Sequence, residues 1–198
     1  MLRSPRPADG SRTSLRTCAT TSIATIAGFL GAVSILTGRS GVLRPIVYPA
    51  VAAGREIAAG PTFRSVARDG WSYPEDWGIW TKGSEATLEI PLADAPTSGV
   101  RLSVKGVFFV MPKHESVTAS FTANGMPIGV MKGTVAASEA ETLLNVPQAA
   151  FAASPRMLKL KIAVDKPIAP AALEPTDDTR LLGFGLKSMM LVDGGGVP

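Results

Sequence analysis

Between residues 86 and 164, apolar side chains recur at every second position in four separate runs, a pattern a helical fold cannot satisfy. Leu88, Ile90 and Leu92 alternate with Thr87, Glu89 and Pro91. Leu102, Val104 and Phe108 oppose Arg101, Ser103 and Lys105. Val117, Ala119, Phe121 and Ala123 alternate with Thr118, Ser120 and Thr122, and Leu158, Leu160, Ile162 and Val164 with Lys159, Lys161 and Ala163. Successive strand residues point to opposite faces, so each run describes a strand with one buried and one wet face. Asn124-Gly125, between Phe121 and Ile128, is a two-residue hairpin signal. Leu144 to Phe151 is predicted as a further strand and Leu181 to Val192 as the last, with Gly183 and Gly185 marking a bulge or close packing. Ala136 to Leu144 is expected to form at most a short turn. No helical stripe follows residue 70. About eight short strands separated by turns predict an all-β fold, an antiparallel, jelly-roll-like β-sandwich over residues 68–193, with a fraying Gly-rich end at 194–198.

The N-terminal third obeys different rules. Residues 1–68 hold nine Arg, no Lys and two acids, a net +7, whereas residues 69–198 carry a net −3. The positive charge therefore lies outside the expected sandwich, which argues against a nucleic-acid-binding domain. Residues 1–18 are basic, rich in small and polar residues, and expected to be a disordered tail. Residues 19–38 contain no charge; their twenty residues match the roughly 20 that cross a bilayer core as a helix. A single-pass transmembrane helix acting as signal anchor is the favoured expectation, ahead of a cleaved signal peptide and a buried soluble helix. Residues 39–67 read as a juxtamembrane linker, with a short surface helix possible over Val51 to Ala59. The tail is expected inside and the sandwich outside the membrane.

The candidate binding chemistry is concentrated in one place. Trp71, Trp77 and Trp80, all the tryptophans of the chain, lie with Tyr73 between Gly70 and Gly83. Aromatic faces stack on pyranose C–H faces, and Glu75, Asp76 and Lys82 are placed to bond hydroxyls. The favoured role is closure of the sandwich, with the Trp77 and Trp80 indole N–H groups bonded to backbone. Trp77 and Trp80 are three apart, so on one strand they would face opposite sides, leaving Tyr73 or Trp71 as the expected exposed member. Asp178 and Arg180 precede the last strand, and a carboxylate–Arg180 pair formed with Glu75 or Asp178 would fasten the ends of the domain. A sugar-binding pair is the other reading. Calcium at Asp177 and Asp178 is the weaker alternative, since the acids lack EF-hand spacing.

Other catalytic signatures are missing from the sequence. Cys18 is the single cysteine and His114 the single histidine. No intrachain disulfide, multi-His zinc site or Ser-His-Asp set can be built from them. His114 is expected as a solvated turn residue, and no metal or cofactor is expected.

The run Trp71-Ser-x-Pro-Glu75-x-Trp77-Gly78-x-Trp80-x-x-Gly83, the Asn124-Gly125 turn, and Asp178-x-Arg180-x-Leu182-Gly183 leading into Leu186 together resemble a known family. It is the β-sandwich accessory domain attached to bacterial envelope and exopolysaccharide glycosyltransferases and to membrane phosphoglycerol transferases. The resemblance covers residues 70–193 and implies a glycan-associated setting at the cytoplasmic membrane, with a membrane glycosyltransferase as a possible partner. The chain has no catalytic domain of that kind. The expected function is a non-catalytic, membrane-anchored, extracytoplasmic domain that binds polysaccharide or oligosaccharide, or positions a glycan-processing enzyme. An assembly domain without sugar affinity and a glycan or acyl-ester hydrolase are the other readings.

Overall fold

The computed structural model describes residues 35–37, 43–45, 50–58 and 60–193. The tail and most of the 19–38 segment lie outside these residues. Its end does not: β1 (Ile35–Thr37) pairs antiparallel with β2 (Leu43–Pro45), so these positions are extended rather than helical. Among the described residues no helix is long and apolar enough to cross a membrane.

Two antiparallel sheets form the body. After β3 (Glu56–Ala58) and the helix α1 (Pro61–Val66) come β4 (Trp71–Glu75), β5 (Gly78–Thr81), β6 (Glu85–Pro91) and β7 (Val100–Phe108). They are followed by β8 (Ser116–Ala123), β9 (Met126–Thr134), β10 (Glu139–Val146), β11 (Met157–Val164) and β12 (Phe184–Asp193). One sheet runs β10-β7-β12-β5-β4, with β3 also on β12; the other runs β6-β11-β8-β9. From β5 to β12 every connection except the β8–β9 hairpin passes from one sheet to the other. That strand order is a jelly roll of eight strands, to which β3 and β4 add a margin.

The alternation read from the sequence becomes the core. Leu88, Ile90, Leu102, Val104, Val117, Phe121, Leu158, Leu160 and Ile162 are fully buried between the sheets, each worth about 1.5–3 kcal/mol in burial for its larger members. Phe184 of β12 meets Phe121 of β8 edge-to-face at 5.7 Å, joining the two layers. The Asn124-Gly125 turn has φ of 47° and 87°, the paired left-handed geometry of a type I′ hairpin. Asn124 also accepts from the Lys159 amide at 2.7 Å and donates to the carbonyls of Ala150 and Met157, tying the hairpin to β11.

Two sequence expectations are corrected. The predicted Leu144–Phe151 strand is displaced: β10 occupies Glu139–Val146, and Gln148–Phe151 is a 3-10 turn. Strand β10 is an edge whose buried positions are only Leu144 and Val146, so its first half has no apolar alternation. The second correction concerns residues 50–67. The described residues among them do not act as a linker, and Val51 to Ala58 forms no helix. Val51 bridges Leu92, β3 pairs with the far half of β12, and Ile57, Phe63 and Val66 are buried in the core. The amide of Arg68 donates to the Thr87 carbonyl, and that of Thr87 to Asp69, so this segment covers the free edge of β6. An unpaired edge is a liability that the chain closes with its own residues.

Candidate functional site

The tryptophan-rich stretch folds into the β4–β5 hairpin at the margin of the larger sheet. Its residues divide between closure and display. Trp71 is half-buried, sits edge-on to Phe63 at 4.9 Å, and donates its indole N–H to the Thr87 carbonyl at 2.9 Å. It seals the gap between the sheets. Thr81 is fully buried, and its hydroxyl donates to the Phe184 carbonyl at 2.9 Å, satisfying a polar group inside the core.

Trp77 and Trp80 do not face opposite sides. Strand β4 ends at Glu75 and β5 begins at Gly78, so Trp77 belongs to the reversal between them rather than to a strand. The turn brings both indoles to one face, 5.0 Å apart and tilted by 70°. Trp80 continues the row edge-to-face with Phe109 at 6.2 Å. Gly185, register partner of Trp80, lies under the pair: a Cβ there would be 2.5 Å from Trp77 Cη2 and 3.0 Å from Trp80 Cε3. The missing side chain is what lets the indoles settle on the sheet.

The charged residues gather at the same hairpin. Arg180 lies before β12 and forks onto three partners. Its Nε and Nη2 donate to the Asp178 carboxylate at 3.0 and 2.7 Å, and Nη1 donates to Glu75 Oε1 at 3.0 Å and to the Ser72 hydroxyl at 3.1 Å. The second Glu75 oxygen, Oε2, accepts the Trp77 indole N–H at 2.8 Å. One carboxylate therefore links a guanidinium to an indole. Side-chain and backbone hydrogen bonds from Arg180 hold the Asp178 carboxyl below its ordinary range, and Asp178 in turn raises the Arg180 guanidinium.

Tyr73 is the displayed member. It is 82% exposed, the most exposed large hydrophobic side chain among the described residues. The β4–β5 register slips between Trp71 and Pro74, which places Ser72 and Tyr73 in an irregular stretch of an edge strand. Pro74 suits that edge because no ladder hydrogen bond is required of it. Asp76 and Lys82 are exposed.

Sequence reasoning passed over Ser72, Phe109 and Phe63. What the sequence did signal was the Arg180 pair with Glu75 or Asp178, here formed with both, and Gly185 as a close-packing position. His114 is also corrected: it lies in the Met111–His114 turn, partly buried, with Nε2 shielded from solvent. Among the described residues no group of three or more His, Cys, Asp or Glu side chains could hold a metal ion. A separate cavity of about 460 Å³ lies by the other end of β12, lined by Val51, Leu92, Asp94, Val100, Leu191 and small loop residues.

No family model and no curated protein matches the chain. Among solved structures it is similar to the CBM36-1 domain of a multidomain xylanase from the hindgut metagenome of Trinervitermes trinervoides. That match has 13% identity and a TM-score of 0.44, over 72% of this chain and 100% of that one. It is also similar to a carbohydrate-binding module CBM36 in complex with calcium and xylotriose, at 10% identity and TM-score 0.39, over 69% and 98% of the two chains. A third is the C-terminal CBM6 of LamC, a marine laminarinase from Zobellia galactanivorans, at 11% identity and TM-score 0.41, over 70% and 98%. These superpositions are distant, and the sandwich described above rests on its own strand pairing.

Proposed function

We propose that the domain is a non-catalytic glycan-binding module that presents Tyr73, from the hairpin that also carries Trp77 and Trp80, to a polysaccharide or oligosaccharide. The observation that carries this reading is the exposure of Tyr73 between two tethered neighbours. Ser72 and Glu75, flanking Tyr73 and Pro74, are both bonded by Arg180, while the ring is 82% open to water. An exposed aromatic on a stiffened backbone offers a flat apolar face at low entropic cost, the requirement for stacking on a sugar. Its phenol and the neighbouring carboxylates supply polar groups around that face.

Hydrolysis is less well supported. A general acid needs a carboxyl raised towards neutral pH, whereas hydrogen bonds from Arg180 lower Asp178. Both Glu75 oxygens are already engaged. The setting belongs to the same proposal: the part of the uncharged run that precedes β1, residues 19–34, anchors the chain in the cytoplasmic membrane and the sandwich works outside it, beside envelope polysaccharide or a membrane glycosyltransferase. The uncharged run supports an anchor, and the four Arg before it, against Arg39, Arg44 and Arg55 after it, favour the tail inside.

The test is titration of the purified full-length chain with a panel of neutral and acidic hexasaccharides, read by intrinsic fluorescence and calorimetry. Saturable binding to at least one hexasaccharide, weakened in Tyr73→Ala, is expected. No heat and no spectral change across the panel would remove the glycan reading and leave assembly with a membrane enzyme as the reading to pursue.

A further inference from the structure

We infer that Arg180 is a positioning residue that holds the aromatic surface in its presenting geometry, rather than a group that reads the ligand's charge; this rests on the glycan-binding reading above. Five side-chain hydrogen bonds to three residues define its role. Nε and Nη2 are committed to Asp178, and Nη1 is shared by Ser72 and Glu75. With these bonds made, little donor capacity is left for an incoming carboxylate or phosphate. Its charge is likewise offset by two carboxylates in contact, Asp178 Oδ2 at 2.7 Å and Glu75 Oε1 at 3.0 Å. An arginine that captures an anionic sugar would need the opposite arrangement, a fork open to solvent.

What the fork does instead is mechanical. It draws Ser72 and Glu75 to one point, which restrains Tyr73 and Pro74 between them across the register slip of β4. Through Glu75 it reaches the indole of Trp77, because the same carboxylate that accepts from Nη1 accepts from Trp77 Nε1 at 2.8 Å. Trp77 in turn rests on Trp80 and over Gly185. Removing the guanidinium would release the restraint on Tyr73 and free Glu75 to rotate away from the indole. A lysine could keep one contact, but it lacks the planar fork that spans three partners.

The experiment compares the full-length chain with Arg180→Met, Arg180→Lys and Glu75→Gln. Two independent readouts are used: acrylamide quenching of tryptophan emission, assigned with Trp77→Phe, and affinity for the best neutral and best acidic hexasaccharide. Arg180→Met is expected to raise the quenching of Trp77 and weaken both hexasaccharides about tenfold or more, alike, with Arg180→Lys recovering only part of each. Glu75→Gln keeps the Arg180–Asp178 pair and is expected to raise Trp77 quenching as well; it also serves if Arg180→Met does not fold. Unchanged quenching in both Arg180→Met and Glu75→Gln would overturn the inference. So would loss confined to the acidic hexasaccharide, since that is the signature of a direct charge reader. The quenching readout stands whether or not any sugar binds, so failure of the glycan reading is distinguishable from failure of the positioning role.

Discussion

Nη1 of Arg180 lies 3.0 Å from Oε1 of Glu75, joining residues 105 positions apart and fastening the start of the larger sheet to the loop that leads into its last strand. Both side chains are about one-third exposed, at 32% and 34%, so water screens the pair. Arg180→Met should therefore destabilise the domain by only about 1–2 kcal/mol, most of it from the lost hydrogen bonds to the carboxylates. Chemical unfolding of the two proteins checks this.

The same cluster sets an acid dependence. Asp178 has a folded-state pKa below its ordinary 3.8, so the folded state favours the ionised form. Its contribution is complete above the unfolded value and is lost as pH falls through the lower folded value. Melting temperature should drop as pH falls below about 4, and Asp178→Asn should flatten that acid limb while lowering stability at neutral pH. Parallel acid limbs for the two proteins would place the pH dependence elsewhere.

Tyr73 separates binding from folding. At 82% exposure its ring contributes little to the core, so Tyr73→Ala should change stability by no more than about 0.5 kcal/mol. Hexasaccharide affinity should nevertheless fall about tenfold, the scale of one lost stacking contact. Calorimetric titration alongside thermal unfolding resolves the two.

Gly185 makes the reverse test. A methyl group there runs into Trp77 and Trp80, so Gly185→Ala must displace one indole or the other. A cost of about 1–3 kcal/mol is expected from overpacking, with a changed near-ultraviolet dichroism of tryptophan.

Asn124 is more than a turn residue. Asn124→Gly preserves the left-handed backbone but deletes bonds to Ala150, Met157 and Lys159. The loss should be about 1–3 kcal/mol, against almost none for a turn position whose side chain was free. Denaturant midpoints measure it.

Phe63 tests the segment that was expected from the sequence to be a linker. It is 1% exposed and packs edge-to-face on Trp71 at 4.9 Å. Phe63→Ala should cost about 3–5 kcal/mol, as expected of a core aromatic. A value below 1 kcal/mol would mean that residues 50–66 merely lie on the sandwich.

Sequence by itself determined the strands whose two faces meet different solvents. Val117, Ala119, Phe121 and Ala123 declare a buried face because residues two apart share one side of a strand, and Asn124-Gly125 declares its turn because few other pairs tolerate that backbone. These are local rules, legible without knowing the partner. Edge strand β10 and short β3 obey them weakly: few of their positions are buried, and β3 becomes a strand only by pairing with Ser188 to Met190. The candidate site is further from local rules still. That Trp77 and Trp80 would share a face depended on where the chain reversed, and that Tyr73 would stand exposed depended on Trp71 having Phe63 to cover. The sequence predicts a carboxylate–Arg180 pair, but not that Glu75 and Asp178 share it or that Glu75 also holds Trp77. Only the jelly-roll crossing of β12 beside β5 brought Arg180 to Glu75, and with it decided which aromatic is held and which is shown.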